Sequence, residues 1–550
     1  MKTNILLSLK SALILGIAVF LLYLSGCDIT NPLDDIRVIL NTKERPTTVS
    51  VIFRDSQTRE PVGFNEVNQV QITLDGRDRN LLIDLLNRDI SGLKPEQGFV
   101  SFAIRDDVIP SQSNPVQFVI VARAEGYITT TQPVLINQRG SNNVEIIMVR
   151  RENLPQGVSG GTASNIGTAI PATGTTTEIL IDSGTLGRDI PATVRIPEGT
   201  LLFGAGGEAL GGTLASDIFH FNSTDEQSLQ SFPGGFSARI SNFGDLAAAS
   251  RQPAALLNTQ DESVYFTTGG FLSLDITADG VPVRAFSQPV DISMELDENV
   301  FNESGSPVEA GSEVPIWSYD TDTGKWTFES YVQIDAAKNG GLRLTFQVQH
   351  LSWWNIDWYG PNCVYGTQVN LLNSNQQLRG KLYRTDVTPN AFLGWAPSRT
   401  LPGQPSYIQF LYAPVGIPGR LELYNMADQM LAEVELPDLC SSSPVDVTLN
   451  NTTELTINFK GRGLCTDNDD IEVRPNLPVV YRPASGGTWL QAGNLVDGEI
   501  SISFPAPGIY IFGAWYEGEW YEYELNLTNY KDGDLFEQDI ELPQSVCDDL

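Results

Sequence analysis

The sequence has 550 residues, 41% of them hydrophobic, which is enough to bury a large core in several domains. Its 67 acidic residues outnumber 34 basic ones and give a formal net charge of -33. A surface of this sign repels nucleic acid and anionic lipid headgroups, so we expect no nucleic-acid partner.

The N-terminus has the features of an export signal. Lys2 and Lys10 precede an apolar run over residues 12–24. This run of about 13 residues is shorter than the roughly 20 that a membrane-spanning helix needs, so a cleaved signal peptide over residues 1–26 is predicted. An uncleaved N-terminal anchor with an incidental cysteine is the alternative, and it would hold the chain on the same membrane.

Residues 24–27 read Leu-Ser-Gly-Cys and resemble the bacterial lipobox. The resemblance implies that Cys27 is acylated with chains such as palmitate, becomes the first residue after cleavage, and anchors the protein in the membrane without a spanning helix. We therefore expect a lipoprotein of the cell envelope, in the outer membrane or at the cell surface rather than in the inner membrane. Residues 27–45 are mostly polar and are assigned to a lipidated tether.

Residues 46–152 contain short apolar runs separated by turn signals, a pattern typical of a β-sandwich. The turn-rich segment 55–62, Leu-Asp-Gly at 74–76, Gly-Phe-Val at 98–100 and Ala-Glu-Gly-Tyr at 124–127 resemble the carboxypeptidase regulatory-like domain. The resemblance implies a transthyretin-like sandwich with a carbohydrate-binding-like fold and no catalytic residues.

Residues 153–177 are rich in Gly, Ser and Thr and poor in large apolar residues, so a linker is predicted there. A second β-sandwich follows over residues 178–359. Its last part, with Trp317 and Trp326 on a hairpin and His-Leu-Ser-Trp-Trp-Asn at residues 350–355, resembles an extracellular module of cartilage intermediate layer proteins and bacterial surface lipoproteins. The resemblance implies a surface location and no particular chemistry.

Two further β-sandwiches are predicted over residues 360–450 and 451–550, which makes the chain an all-β protein of tandem sandwiches. Apart from Cys27, the cysteines are Cys363, Cys440, Cys465 and Cys547. An exported chain can keep disulfides, and four cysteines allow three connectivities. We favour the sequential pairing, which closes two loops of about one sandwich each.

Few residues are suited to catalysis or metal binding. His220 and His350 are the only histidines, and both are assigned structural roles. The zinc-peptidase motif H-E-x-x-H is absent from the sequence. Asp320 and Asp322 before Gly324 could bind structural Ca²⁺, but a tight hairpin turn explains the same residues. No other cofactor is expected.

Aromatic residues give the best indication of a binding face. The set on one late hairpin is Trp515, Tyr516, Trp520, Tyr521 and Tyr523. Such rings can stack on sugars, although most aromatic residues in sandwiches belong to cores or cross-strand pairs. We expect a non-catalytic binding or scaffolding protein with a glycan or protein ligand. The alternative is an envelope hydrolase of glycosidase type whose carboxylates the sequence does not single out.

Overall fold

The fold is given by a computed structural model that describes residues 38–541, apart from 42–44, 63–68, 86, 91, 96, 184–190, 233–234, 250–261, 298, 322, 338–339, 373–377, 400–405, 426–428, 450–454, 466–467, 487–488 and 517–518. Almost all regular structure in this part is β-strand, so the predicted all-β class is confirmed. No helix among the described residues is both long and apolar enough to cross a bilayer. The strands fall into four domains, called I to IV.

The first strand of the chain, β1 (Val38–Asn41), belongs to domain IV and is described with it. Domain I follows and contains two sheets, in the orders β4-β5-β2-β8 and β3-β6-β7, with one 3₁₀ turn at Arg79–Leu81. The strands of domain I are β2 (Thr47–Asp55), β3 (Gln71–Asp75), β4 (Leu82–Ile83), β5 (Phe99–Ile104), β6 (Val116–Arg123), β7 (Thr130–Ile136) and β8 (Gly140–Met148).

Strand β2 is buried along its whole length, unlike a strand with one solvent-facing side. Val49, Val51 and Phe53 point into the core between the two sheets of domain I. The opposite face of β2 is covered by domain IV, where Ile52 packs in an apolar cluster with Trp489. The loss of period-two alternation in β2 therefore reflects contact on both faces.

Domain II is one 14-stranded sheet that folds over on itself, with the main order β10-β11-β18-β21-β20-β19-β22-β16-β14-β9. Its strands are β9 (Val158–Ile170), β10 (Ile179–Asp182), β11 (Ala192–Ile196), β12 (Leu202–Phe203), β13 (Ala209–Leu210), β14 (Gly212–Phe221), β15 (Ser237–Arg239), β16 (Ser263–Ala278), β17 (Val281–Pro282), β18 (Ala285–Leu296), β19 (Glu313–Asp320), β20 (Lys325–Ala336), β21 (Leu342–His350) and β22 (Trp353–Gly360). Two short helices, α1 (Glu226–Leu229) and α2 (Phe243–Ala249), lie on its outer face.

The folded sheet buries side chains on both faces of its central strands. Along β22, Trp354 and Ile356 face the aliphatic core inside the fold. Trp353 and Tyr359 on the other face of β22 join an outer aromatic cluster that also contains residues of α1 and α2. The tryptophans of this domain are therefore core residues.

Domain III has sheets of the orders β23-β28, β27-β24-β31 and β26-β25-β29-β30. Its strands are β23 (Asn362–Tyr365), β24 (Val369–Leu372), β25 (Leu378–Arg384), β26 (Ala391–Pro397), β27 (Ser406–Ile408), β28 (Leu411–Pro414), β29 (Gly419–Asn425), β30 (Met430–Leu436) and β31 (Val445–Thr448). A disulfide joins Cys363 and Cys440, which confirms the first predicted pair. Cys465 is also disulfide-bonded, and its predicted partner, Cys547, lies outside the described residues.

Domain IV pairs a five-stranded sheet, which contains β1-β33-β32-β36 and β39, with a four-stranded sheet of order β35-β34-β37-β38. Its strands are β32 (Leu455–Cys465), β33 (Asn468–Arg474), β34 (Leu477–Pro483), β35 (Leu490–Leu495), β36 (Glu499–Phe504), β37 (Ile509–Tyr516), β38 (Glu519–Asn526) and β39 (Leu535–Glu541). Strand β1 pairs in parallel with β33, so part of the segment assigned to the tether over 27–45 is an edge strand of the last domain.

The predicted linker over residues 153–177 is corrected in its central part, because residues 158–170 form β9 and pair with β14. Gly160 explains why small residues occur there. Its φ is +143°, and a Cβ at this position would overlap the carbonyl oxygen of Ile218 on β14. The composition therefore reflects a close backbone approach within a sheet rather than a free connection.

The domains pack around domain I instead of forming an extended string. Thr131 of domain I donates to the carbonyl of Thr321 in domain II at 3.3 Å. Tyr365 of domain III donates to the carbonyl of Gln112 at 2.8 Å. Gln491 of domain IV reaches the carbonyl of Ser50, 3.2 Å away. Domain I thus contacts each of the other three domains.

Candidate functional site

A cavity of about 1060 Å³ lies where domains I, II and III meet. Strands β6, β7 and β8 supply its domain I side, and the β19–β20 turn and the segment after α1 supply its domain II side. Strands β25 and β26 supply the domain III side, and Gln491 of domain IV completes the lining. Interfaces between domains are a common place for ligand sites, and this volume is at the upper end of the range for pockets of drug-sized ligands.

The charge of the lining is opposite to that of the chain. Acidic residues outnumber basic ones about two to one in the sequence, but among the described residues three acids line the cavity, namely Asp75, Glu145 and Glu262. The described basic residues of the lining are Arg54, Arg59, Arg77, Arg239, Lys325, Arg379 and Arg399. The described part of the lining therefore has a formal charge of 7 - 3 = +4 in a protein of net charge -33.

Glu145 on β8 is shared by three guanidinium groups. Arg59 hydrogen-bonds its Oε1, while Arg54 Nε lies 3.6 Å and Arg379 Nη1 lies 3.7 Å from its Oε2. Burial raises the pKa of Glu145, but the attraction of the three arginines outweighs it, so the net pKa is lowered. The carboxylate of Glu145 is therefore held in its ionised form among the three arginines.

Other cations at the cavity have no carboxylate at close range. The side chains of Arg239 and Lys325 form no ion pair or hydrogen bond within the described part of the chain. Arg399 donates to the amide oxygen of Asn137 at 2.6 Å, and burial lowers its pKa because the charged form loses hydration. Arg77 is different, since Asp78 accepts from it at 2.8 Å.

Polar and aromatic groups complete the lining. The Gln117 side chain is 7% exposed, and its Oε1 accepts no hydrogen bond. The indole N–H of Trp395 is likewise buried without an acceptor. The guanidinium of Arg379 lies 5.0 Å from the Trp395 ring centroid, within the distance of a cation–π contact. The site therefore combines positive charge, unused hydrogen-bonding capacity and an aromatic face.

The aromatic residues of the hairpin predicted as a binding face lie in different environments. Trp520 on β38 packs 5.4 Å from Trp489 and 6.1 Å from Phe99 of domain I, so it is part of the contact between domains I and IV. Tyr523 is 42% exposed and donates to Gln538 at 2.9 Å. The side chains of Trp515 and Tyr516 lie outside the described residues, and Tyr521 is half-buried.

The remaining predicted positions are the turn aspartates and the two histidines. Asp320 accepts from the backbone N–H and the hydroxyl of Thr323, as expected of a turn residue, and Asp322 lies outside the described residues. The calcium hypothesis stays a prediction. His350 lies 3.3 Å from Glu329, whose hydrogen bond raises the His350 pKa. His220 is buried, which lowers its pKa to about 4.

The cavity was not predicted from the sequence. Among the described lining residues, Arg54 has a visible signal, because it precedes Asp55 at the end of a strand that is otherwise apolar and hydroxylic. Arg59 and Arg379 lie 320 residues apart in the chain, and nothing in the local sequence indicates that they meet at Glu145. Tertiary packing alone brings them together.

Comparisons with known proteins do not assign a family. No family model matches the chain, and no curated protein matches its sequence. Among solved structures, the major pilin subunit of Bacillus cereus aligns at 8% identity and a TM-score of 0.14, over 90% of this chain and 99% of that chain. A minor pilin of Streptococcus agalactiae aligns at 12% identity and 0.14 over 32% and 96%. A fimbrial assembly protein from Parabacteroides distasonis aligns at 9% identity and 0.14 over 34% and 93%. At these TM-scores the alignments establish no common fold.

Proposed function

We propose that this chain is a lipid-anchored, non-catalytic binding protein of the bacterial cell envelope that holds its ligand in the cavity between domains I, II and III. The observation that carries the proposal is the cavity itself. Its lining comes from three domains around a shared centre and contains buried polar groups such as Gln117 Oε1 that lack a protein partner. Buried polar atoms without partners are rare in folded proteins and are often satisfied by a ligand or by water.

The charges at the cavity favour binding over hydrolysis. A glycosidase needs a carboxylic acid that keeps its proton near neutral pH and can reach the substrate. At Glu145 the three arginines have the opposite effect, because the net pKa is lowered. Asp357, whose pKa burial raises well above its ordinary value, has a relative exposure of 0% and does not line the cavity. These observations support a binding role more than the hydrolase alternative.

The membrane attachment is proposed from the lipobox at residues 24–27. It is tested by expressing the full-length chain in a bacterium and comparing wild type with Cys27→Ser. Lipidated protein should enter the detergent phase on cloud-point separation, and the serine variant should lose the acyl mass and leave that phase. Unchanged mass and partition of Cys27→Ser would reject the anchor.

The binding site is tested with full-length protein in detergent on a glycan and protein array. Ser113 lies on an exposed loop at the cavity and lines it, whereas the neighbouring Gln112 does not. Ser113→Trp should obstruct the cavity and reduce capture of the bound ligand by roughly tenfold or more, while Gln112→Trp keeps wild-type capture. Equal capture by both variants would show that the cavity is not the binding site.

A further inference from the structure

Three polar side chains meet inside domain II, and none of them lines the cavity. Thr268 lies on β16, and Asn355 and Asp357 lie on the neighbouring strand β22. All three residues are buried, with relative exposures of 8% for Thr268 and 0% for the other two. We propose that the hydroxyl of Thr268 attacks the side-chain amide of Asn355, releases ammonia and leaves an ester that joins β16 to β22.

The hydroxyl of Thr268 is held against the group that it would attack. Its Oγ1 donates to Asn355 Oδ1 at 3.3 Å, so the amide carbon lies one bond beyond the contacting atom. The backbone N–H of Gly270 donates to the same hydroxyl at 3.0 Å and helps to fix its position. Groups held together in this way react much faster than the same groups free in solution, because folding has already brought them into contact.

The backbone next to Thr268 has an unusual shape. A β-bulge interrupts the pairing of β16 with β22 directly after Thr268, which lies opposite Asp357. Gly270 in this bulge has a φ of +126°, and a Cβ there would lie 3.2 Å from a carbonyl oxygen of β14. Bulges change the direction of neighbouring side chains and are common beside functional sites. The bulge therefore lets Thr268 contact Asn355 as well as the residue opposite it.

Two further groups are suited to the steps of the reaction. The backbone N–H of Ile356 donates to Asn355 Oδ1 at 2.9 Å, and such a donor stabilises the negative charge that forms on this oxygen when the hydroxyl adds. Asp357 Oδ2 accepts a hydrogen bond from Asn355 Nδ2, so the carboxyl group lies beside the nitrogen that must leave. Burial raises the pKa of Asp357 well above its ordinary value, which favours the protonated acid.

The proposed reaction balances without an oxidant or a co-reactant. The bond between Thr268 Oγ1 and Asn355 Cγ forms, and the bond between Cγ and Nδ2 of Asn355 breaks. Asp357 gives a proton to the leaving nitrogen and takes the hydroxyl proton of Thr268, so it ends as it began. One ammonia leaves, and no electrons are gained or lost. The reaction occurs once within each chain, so it is compatible with a protein that turns over no substrate.

The ester would connect two strands that are distant in the sequence. Thr268 and Asn355 are 87 residues apart, and the strands that carry them are neighbours near the middle of the sheet of domain II. A cross-link that closes a long loop restricts the unfolded chain strongly. The ester would therefore keep β16 and β22 joined even in denaturant.

Peptide mass mapping of the purified full-length protein tests the proposal. After reduction and trypsin digestion, residues 252–284, which contain Thr268, should remain joined to residues 344–379, which contain Asn355. The joined pair should weigh about 17 Da less than the sum of the two peptides, because one ammonia is lost. Hydroxylamine should separate the pair, since it cleaves esters under conditions that leave amides intact. Two separate peptides, with Asn355 either unchanged or deamidated to aspartate, would overturn the proposal.

Variants assign the roles of the individual groups, and the wild-type map does not depend on whether they fold. Thr268→Val removes the attacking hydroxyl with little change in shape, so the joined pair should disappear. Asp357→Asn removes the acid, so the joined fraction at a fixed time after synthesis should fall at least about tenfold. Thr267→Val is the matched control and should keep the joined pair, because the Thr267 hydroxyl contacts Arg384. A joined pair in Thr268→Val, or an undiminished one in Asp357→Asn, would overturn the proposed reaction.

Discussion

Glu145 on β8 of domain I and Arg379 on β25 of domain III approach to 3.7 Å across the cavity. The two residues are separated by the whole of domain II in the sequence. Their contact connects the central domain to domain III. Glu145 therefore contributes to the packing of two domains that are distant in the sequence.

Glu145→Gln tests the contribution of this contact to stability. Without the carboxylate, three arginines repel one another, so the free energy of unfolding should fall by about 2 kcal/mol at pH 7. Urea unfolding measures the change, with Glu499→Gln as a control at an exposed pair with Lys460. An equally small change in both variants would contradict the assigned role of Glu145.

The same contact has a predicted pH dependence. Because the pKa of Glu145 is lowered in the folded protein, its contribution is complete above its unfolded pKa of about 4.3 and is lost as pH falls through the lower folded value. The stability difference between wild type and Glu145→Gln should therefore shrink below about pH 4. A difference that stays constant from pH 7 to pH 3 would contradict this account.

Gly160→Ala tests the assignment of residues 158–170 to a strand. The φ of +143° and the closeness of the Ile218 carbonyl leave no room for a Cβ, so the variant should lose roughly 1–3 kcal/mol. Gly161→Ala is the matched control, since no atom lies within 4 Å of its added Cβ. Thermal unfolding distinguishes them. If residues 153–177 were a free linker, both substitutions would leave the melting temperature unchanged.

Trp489→Ala tests the contact between domains I and IV. The ring is fully buried, packs against Trp520 at 5.4 Å, and lies 4.7 Å from the Arg482 guanidinium. Its loss should cost about 3–5 kcal/mol in the first unfolding transition and increase cleavage of domain IV in limited proteolysis. Tyr523→Ala, at an exposed position of the same domain, should change either readout little. Equal effects of the two variants would show that Trp489 does not hold domains I and IV together.

The two histidines should titrate far apart. The hydrogen bond to Glu329 raises the pKa of His350 above 6.5, whereas burial lowers that of His220 to about 4. Glu329→Gln should return the His350 pKa toward 6.5 and leave His220 unchanged, as measured by NMR. The ion pair of His350 with Glu329 stabilises the fold below the folded pKa of His350, and this contribution is lost as pH rises. The contribution is less than about 1 kcal/mol because the ring is 46% exposed. An unchanged His350 pKa would show that Glu329 does not cause the shift.

The sequence by itself determined the all-β class, and it favoured the pairing of Cys363 with Cys440 that the structure shows. The alternation of apolar and polar residues, the turn residues and the order of the cysteines are local or count-based signals, so they can be recognised without knowledge of packing. It also identified the apolar strands that form the cores. The aromatic hairpin shows the limit of such signals, because Trp520 has the same pattern whether it faces a ligand or domain I.

Tertiary structure alone decided how the domains meet and what lies between them. Strand β9 was mistaken for a linker because small residues serve both free chain and close strand approach. Arg59, Glu145 and Arg379 are far apart in the chain, and only the fold brings their side chains together at the cavity. The local charge of a site depends on which side chains the fold brings together in space. No local pattern in the sequence shows which distant residues will meet.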